Sequence, residues 1–227
     1  MNSDLLNSEL RKRRTCYIAG AGTFAESARP RDGDYIIAAD GGYEALVSRG
    51  YAPDLVCGDF DSLGYTPEHP NVITHPSAKD ETDMVLAVRY GTEHGCGRFV
   101  INGGLGGRPD HTFGNIQLLA RIARGRGRGF LAGSDINITA VRRGEARFTA
   151  AARGYISVFA FGGTAHGIDI EGLKYTLEDA ELRSDVPLGV SNEFLGAPSC
   201  VRIRSGTLVI MWRGDLYETA EELTINN

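Results

Sequence analysis

The chain has 227 residues, of which 42% are hydrophobic and 23% charged, and its formal net charge is −5. This composition is ordinary for a globular protein with a full core, and the length suits one large domain or two small ones. The mildly acidic balance gives no general basic surface, so we expect no nucleic-acid partner. No stretch approaches the roughly 18 apolar residues of a membrane span, so we expect no membrane partner.

The cysteine pattern and the first residues indicate a cytoplasmic protein. The four cysteines are scattered without CxxC spacing, which argues against a zinc site or a redox dithiol. Cys16 and Cys57 lie in apolar, strand-like runs, where a buried free thiol is expected. The first residues, "MNSDLLNSELRKRRT", lack the apolar stretch of a signal peptide, and we predict a flexible arm over residues 1–14.

The first half of the chain alternates strand and helix patterns. Short apolar strands are predicted at "TCYIAG", "YIIAAD", "PDLVCG" and "RFVING". Helices are predicted from Gly42 to Arg49, from Thr82 to His94 and from Thr112 to Arg124. Such alternation predicts an α/β domain with a parallel sheet, here over residues 15–130, and ligands of such sheets bind beyond the carboxyl ends of the strands.

The second half is rich in short β segments. The runs "INITAV", "ARFTA", "YISVFAF", "GIDIEGL", "CVRIRS" and "TLVIMW" are separated by glycine turns, and "RSGT" (Arg204–Thr207) predicts a tight hairpin. This pattern predicts an all-β domain over residues 135–227, a β-sandwich of the jelly-roll kind. The boundary falls near "RGRGRGFLAGSD", which we interpret as a solvated connector.

The segment "PDLVCGDFDSL" ends an apolar strand with two acids, Asp59 and Asp61. In an extended chain these side chains share a face, where two carboxylates repel each other unless a cation lies between them. Oxygen ligands of this kind suit Mg²⁺, which completes its shell with water and substrate phosphates. The alternative is a solvated turn with Asx-type hydrogen bonds.

Two further acidic segments follow the same logic. "AADGG" places Asp40 at another strand end, where it could join the acidic cluster, cap the helix that begins near Gly42, or do both. In "KDETD", capping alone would make Asp80 the N-cap with Asp83 in the first turn. The neighbouring Lys79 and Thr82 also suit phosphate oxygens.

The segment "INGGLGGRPDHTFGN" runs from a strand through four glycines into a helix that starts at Pro109 or just after it. Glycine-rich backbone before a helix N-terminus offers N–H donors and a positive dipole end to an anion. Arg108 is placed to fork onto a phosphate, with Asp110 and His111 beside it and Asn115 one turn further on.

A rival interpretation comes from "IAGAGTFA". Gly20, Gly22 and Ala25, with Asp40 at the end of the next strand, match the dinucleotide-binding fingerprint of an NAD-dependent oxidoreductase. Pro30 would break the helix that this fingerprint requires, and an oxidoreductase has no need for the other acidic and basic motifs.

Taken in order, "ADGG", "GDFDS", "KDETD", "GGRPDH", "GLKY" and "SNEF" resemble the thiamine pyrophosphokinase family from Thr15 to about Arg213. The resemblance implies an amino-terminal α/β domain and a carboxy-terminal β-sandwich in a homodimer with active sites at the subunit interface. It also implies a Mg²⁺-dependent transfer of pyrophosphate from ATP to the hydroxyl of thiamine, giving thiamine diphosphate and AMP.

The resemblance also implies roles for individual residues. Asp59, Asp61 and Asp83 would hold the metal, with Asp40 or Asp80 completing the cluster, while Lys79, Thr82 and Arg108 would contact phosphates. Asp110 and His111 would lie beside the reacting groups, Asn115 on the same side of their helix, and Ser191 and Asn192 would hold thiamine. Tyr175 and Phe194, and less strongly Trp212, are the candidates for stacking on thiamine.

Three points stay open. The family commonly has a small residue where this chain has Tyr43, whose role is unexplained. A related enzyme could pyrophosphorylate another alcohol, such as a hydroxymethyl pterin. A non-catalytic module that binds ATP and releases no AMP is the third possibility.

Overall fold

The computed structural model describes residues 14–78 and 80–223. The predicted flexible arm therefore lies, except for Arg14, outside the described residues, and so does Lys79. The chain divides into two compact units. The amino-terminal unit extends to Leu118 and includes Leu131–Ser134, and the carboxy-terminal unit comprises Leu119–Phe130 with everything from Asp135 onward.

The amino-terminal unit is built on a parallel sheet. Its strands are β1 (Thr15–Ala19), β2 (Tyr35–Ala39), β3 (Leu55–Gly58), β4 (Val72–Thr74) and β5 (Arg98–Asn102). Their hydrogen-bonded order is β5-β1-β2-β3-β4, and every pair is parallel. The helices are α1 (Gly42–Val47), α2 (Asp83–Glu93) and α3 (Pro109–Arg124), the last of which begins in this unit. The four predicted strands and three predicted helices are thus confirmed, but β4 was not predicted, and the last helix begins at Pro109 and not at Thr112.

A single buried amide organises the segment between β1 and β2. The Asn102 side chain accepts a hydrogen bond from the backbone N–H of Ala25 and donates to the carbonyl oxygens of Ala25 and Ala28, all within 2.9 Å. No helix occurs among the described residues between β1 and β2. The dinucleotide-binding alternative is therefore wrong, because that motif needs a helix N-terminus directly after its glycines.

The carboxy-terminal unit is antiparallel. Its strands are β7 (Asn137–Phe148), β8 (Tyr155–Ala160), β9 (Ala165–Glu171), β10 (Leu177–Leu182), β11 (Asn192–Glu193) and β12 (Ser199–Trp212), and the division between the units falls within β6 (Arg128–Ala132). The order is β10-β9-β12-β7, and β8 pairs with both β12 and β11. A short helix α4 (Leu216–Thr219) and a 3₁₀ turn (Glu221–Leu223) follow.

The predicted hairpin at Arg204–Thr207 is wrong, because these residues lie within the continuous strand β12. The pairing of β12 with β7 shifts register between Ile203 and Thr207. Before the shift β12 also pairs with β9, and after it β12 pairs with β8. The glycine of this segment, Gly206, has φ +98°, so its conformational freedom serves the register shift within the strand and not a reversal of the chain.

Aromatic rings fill the core of the carboxy-terminal unit. The rings of Phe148 and Trp212 meet edge to face at 5.1 Å, and Phe194 lies 5.3 Å from Phe148. The indole N–H of Trp212 donates to the hydroxyl of Thr219 at 2.8 Å, which satisfies the hydrogen-bonding group of the indole.

In the part of the chain that the structure describes, no helix is both long and apolar enough to cross a bilayer. All four cysteines are buried free thiols, which confirms the prediction for Cys16 and Cys57.

Candidate active site

Three carboxylates meet at the carboxyl edge of the parallel sheet. Asp40 directly follows β2, and Asp59 and Asp61 follow the neighbouring strand β3. One side-chain oxygen from each of the three acids lies within 4.8 Å of those from the other two. We call these residues the acidic cluster. It joins "GDFDS" to "ADGG", two of the segments that the sequence placed at strand ends.

Backbone conformation brings the cluster together. Asp40 has φ +50° and Phe60 has φ +59°, so both adopt the left-handed region that non-glycine residues rarely occupy. Such a conformation costs about 1–2 kcal/mol per residue. At Gly58 an added Cβ would lie 3.1 Å from the Cα of Asp40, a tight contact, so glycine favours the close approach of the two strand ends. The buried ring of Phe60 anchors the turn between Asp59 and Asp61.

The two oxygens of Asp40 have different surroundings. The Ser62 hydroxyl donates to Oδ2 at 2.6 Å. Oδ1 is buried and makes no hydrogen bond to any atom of the described residues. The N-cap of α1 is Gly41, so the interpretation of Asp40 as a helix cap is wrong. A buried carboxylate oxygen without a partner is costly, and a carboxylate that carries one and lies beside two further carboxylates fits the ligand set of a hard cation such as Mg²⁺.

Helix α2 starts in the "KDETD" segment, but its cap is not the predicted one. The N-cap is Thr82, whose hydroxyl accepts from the backbone N–H of Val85 at 3.4 Å. Asp80 precedes the cap and is exposed, so its assignment as N-cap is wrong. Asp83 lies in the first turn, as expected, and is not a member of the acidic cluster. Its role as a metal ligand stays a prediction, as do the phosphate contacts of Thr82 and Lys79.

Two glycine-rich loops lie against each other beside the sheet edge. The backbone N–H of Gly22 donates to the carbonyl oxygen of Gly103 at 2.9 Å. Gly103 has φ +70°, and an added Cβ there would lie 2.4 Å from the carbonyl oxygen of Gly20. The buried side chain of Asn115 donates to the carbonyl oxygen of Gly104 at 2.8 Å and so holds the second loop against α3. The predicted contact of Asn115 with substrate stays a prediction.

Arg108 and Asp110 form an exposed ion pair at the start of α3. The guanidinium Nη2 lies 2.5 Å from Oδ2 of Asp110, and both side chains are more than 60% exposed. The hydrogen bond from Arg108 lowers the pKa of Asp110 below its ordinary value, which makes this carboxylate a weak base as it stands. His111 follows in the same turn and is exposed. The structure thus brings these three predicted residues to one helix N-terminus.

In the carboxy-terminal unit, the "GLKY" and "SNEF" segments lie side by side. The Asn192 amide donates to the carbonyl oxygen of Tyr175 at 2.7 Å and accepts from the backbone N–H of the same residue at 2.9 Å. Lys174 and Glu193 form an ion pair across the two segments at 2.8 Å. Ser191 precedes them with φ +60° and an exposed side chain. Tyr175, Ser191 and Asn192 are therefore brought together as one group.

The burial of the rings separates the three candidates for stacking on thiamine. Tyr175 is 58% exposed, whereas Phe194 is 7% and Trp212 1% exposed. Of the three candidates, only Tyr175 therefore presents a ring to a ligand. A second exposed ring, that of Tyr155, was not predicted from the sequence; Tyr155 is 55% exposed and pairs with Glu193 across β8 and β11. The alternation of "YISVFA", which points Tyr155 away from the core, was the signal for it.

Comparison with known proteins gives one family for both halves of the chain. Residues 31–128 match the family model for "Thiamin pyrophosphokinase, catalytic domain", and residues 145–209 match that for "Thiamin pyrophosphokinase, vitamin B1 binding domain". The first match contains the acidic cluster and the start of α3, and the second contains the paired "GLKY" and "SNEF" segments.

Individual relatives agree with these matches. The chain is 28% identical over 182 residues to the thiamine pyrophosphokinase of Bacillus subtilis (strain 168), covering 77% of this chain and 85% of the relative. It is 27% identical over 175 residues to thiamin pyrophosphokinase 1 of Caenorhabditis elegans, covering 70% and 71%. The crystal structure of the Bacillus subtilis protein superposes with a TM-score of 0.79 at 26% identity, covering 89% of this chain and all of that one. Since both domain models match in order and relatives align over most of their length, the chain belongs to the thiamin pyrophosphokinase family.

Proposed function

We propose that this protein transfers the pyrophosphoryl group of ATP to the hydroxyl of thiamine, giving thiamine diphosphate and AMP. The observation that carries the proposal is the acidic cluster at the carboxyl edge of the sheet, within the residues that match the catalytic domain of the family. The match of the second half to a vitamin B1 binding domain supports thiamine as the acceptor.

The acidic cluster is proposed to hold Mg²⁺ with Asp40, Asp59 and Asp61. Three converging carboxylates, one of them with a buried oxygen that lacks a hydrogen bond, supply the donor set that this ion prefers. A bound Mg²⁺ neutralises charge on polyphosphate oxygens during phosphoryl-type transfer. The chain contributes the preformed cluster, so that little reorganisation is needed when the nucleotide arrives.

Phosphate binding is proposed for Arg108 and the glycine loop that precedes it. The pair between Arg108 and Asp110 is exposed, and exposed ion pairs contribute little to stability. Exchanging Asp110 for a phosphate therefore costs little, while the fork of the guanidinium matches phosphate oxygens well. Lys79 and Thr82 are proposed as further phosphate contacts.

The chemical step forms one bond and breaks one. The thiamine hydroxyl oxygen bonds to the β-phosphorus, the bond from that phosphorus to the oxygen bridging to the α-phosphate breaks, and AMP leaves with this oxygen and the electron pair. The hydroxyl proton must be accepted by a base. We assign it to Asp110, because transfer of Arg108 to phosphate removes the hydrogen bond that lowers the pKa of this carboxylate.

Thiamine is proposed to bind at the "GLKY" and "SNEF" segments. The exposed ring of Tyr175 offers a face to the cationic ring of thiamine, and cation–π contacts of this kind contribute about 0.5–2 kcal/mol. Asn192 uses its amide to fix the backbone of Tyr175, and the exposed Ser191 hydroxyl beside it is placed to bind a polar group of the substrate.

The predicted homodimer and the predicted cytoplasmic location remain proposals. Light scattering, which measures the mass of the particle in solution, tests the homodimer.

An assay with two different acceptor alcohols, each supplied separately, tests the proposed substrate. The protein is incubated with MgATP and either thiamine or a hydroxymethyl pterin, and AMP release is measured. We expect AMP only with thiamine. If AMP is released with the pterin and not with thiamine, the pterin is the acceptor and the proposal is wrong. If the protein binds ATP but releases AMP with neither acceptor, it is a non-catalytic module.

A further inference from the structure

The loop that follows β3 turns back and contacts the end of β2 through Ser62. The Ser62 Oγ lies 2.6 Å from Oδ2 of Asp40, twenty-two residues away along the chain. Gly41 makes room for this contact, because an added Cβ there would lie 3.2 Å from the Ser62 Oγ and 3.0 Å from the Cβ of Ala21. The absence of a side chain at Gly41 therefore leaves space for the Ser62 hydroxyl beside Asp40.

The Asp40 backbone is fixed, whereas its carboxylate needs a separate partner. The backbone N–H of Asp40 donates to the carbonyl oxygen of Cys57 at 2.8 Å, and φ is +50°. The last torsion of an aspartate side chain has a broad energy profile, so the backbone alone does not orient the carboxylate plane. The hydrogen bond from Ser62 fixes Oδ2 and with it the orientation of the whole carboxylate, including Oδ1, which makes no hydrogen bond to the described residues.

We propose that Ser62 is a positioning residue: it holds the carboxylate of Asp40 so that the acidic cluster is preformed before the cation binds. The inference rests on the proposed Mg²⁺ site and concerns how that site is built. Groups that hydrogen-bond to metal-ligating side chains fix their orientation, and their loss typically lowers metal affinity by about 10–100-fold.

The same loop supplies a matched control. The Tyr65 hydroxyl donates to Oε1 of Glu44 at 3.2 Å, which ties the loop to α1 at a second point. This hydrogen bond involves no member of the acidic cluster. Removing it perturbs the same loop while the contact between Ser62 and Asp40 is kept, so the two substitutions separate a general effect on the loop from an effect on Asp40.

The experiment measures Mn²⁺ binding to the full chain in the absence of nucleotide and thiamine, by the loss of the free Mn²⁺ signal in electron paramagnetic resonance. Mn²⁺ shares the preference of Mg²⁺ for carboxylate and water ligands. We expect Ser62→Ala to raise the Kd for Mn²⁺ by about tenfold. Ser62→Thr, which keeps the hydroxyl, and Tyr65→Phe should both bind Mn²⁺ as the unchanged protein does.

A second variant keeps the test independent of how Ser62→Ala folds. Gly41→Ala retains the hydroxyl but crowds it, and it should also raise the Kd for Mn²⁺. If Ser62→Ala and Gly41→Ala bind Mn²⁺ normally while Asp40→Asn does not, the positioning role is overturned and the metal site stands. If Asp40→Asn and Asp59→Asn also bind normally, the proposed metal site itself is overturned.

Discussion

Asn192 holds the backbone of Tyr175 from both sides, since its amide donates to the carbonyl oxygen of that residue and accepts from its N–H. The buried amide thereby fixes the point from which the exposed tyrosine ring projects. This one side chain joins the "GLKY" and "SNEF" motifs, across a separation of 17 residues in the sequence. The contact gives "SNEF" a structural task in addition to the thiamine binding proposed for it.

The ring of Tyr175 is the first feature to test. Tyr175→Ala should raise the KM for thiamine by about tenfold, because a cation–π contact is lost. The KM for MgATP should stay within about twofold, since the proposed nucleotide site lies in other residues. Steady-state kinetics with each substrate varied separately measures both constants. Tyr175→Phe keeps the ring and is the control, and an Ala variant with a normal KM for thiamine would remove Tyr175 from the pocket.

The acidic cluster predicts that Asp61→Asn nearly abolishes turnover and leaves the fold intact. Loss of a ligand should lower kcat by at least about 100-fold, the upper end of what loss of a supporting group costs. AMP release reports turnover, and circular dichroism reports folding. Glu68→Gln removes an exposed acid from the same loop region and should behave normally. A folded Asp61→Asn protein with near-normal turnover would contradict the metal assignment.

The ion pair at the start of α3 predicts a change in titration. Arg108 lowers the pKa of Asp110, so Arg108→Ala should raise that pKa toward its ordinary value. Carbon-13 NMR titration of the Asp110 carboxyl measures the shift directly. Arg108→Ala should also raise the KM for MgATP. Arg108→Lys keeps the positive charge but not the two-pronged guanidinium, so its KM for MgATP should lie between those of the unchanged protein and Arg108→Ala. An unchanged KM for MgATP in the Ala variant would exclude Arg108 from phosphate binding.

The contact between the two glycine loops predicts a difference between two glycines. Gly103 and Gly107 both have positive φ, +70° and +66°. An added Cβ at Gly103 lies 2.4 Å from a carbonyl oxygen, whereas at Gly107 it meets nothing within 4 Å. Gly107→Ala should lower the free energy of unfolding by about 1 kcal/mol, from backbone strain alone. Gly103→Ala should lower it by about 3 kcal/mol or more, because the loops must separate. Urea unfolding measures both, and equal losses would contradict the close approach.

The features that could be predicted from the sequence are those that depend on the spacing of apolar residues and on which residues follow the strands. The parallel strands were readable from apolar runs, and the meeting of Asp59 with Asp40 followed from the rule that neighbouring parallel strands end at one edge. The start of α3 at Pro109 was readable from the proline itself.

What the sequence did not predict depends on contacts between distant segments. The cap of α2 is Thr82 and not Asp80, although aspartate is the more favoured N-cap residue type, because the backbone path decides where the helix begins. The glycine in "RSGT" can serve a register shift within β12 as readily as a turn. The hydrogen bond from the Ser62 hydroxyl to the Asp40 carboxylate joins two loops, and it could not be predicted from the residues next to either one.

The identity of the nucleotide product tests the proposed transfer of a pyrophosphoryl group. The protein is incubated with thiamine and MgATP, and the products are separated by ion-exchange chromatography. We expect thiamine diphosphate and AMP in equal amounts. Formation of ADP with thiamine monophosphate would show transfer of a single phosphoryl group and would contradict it.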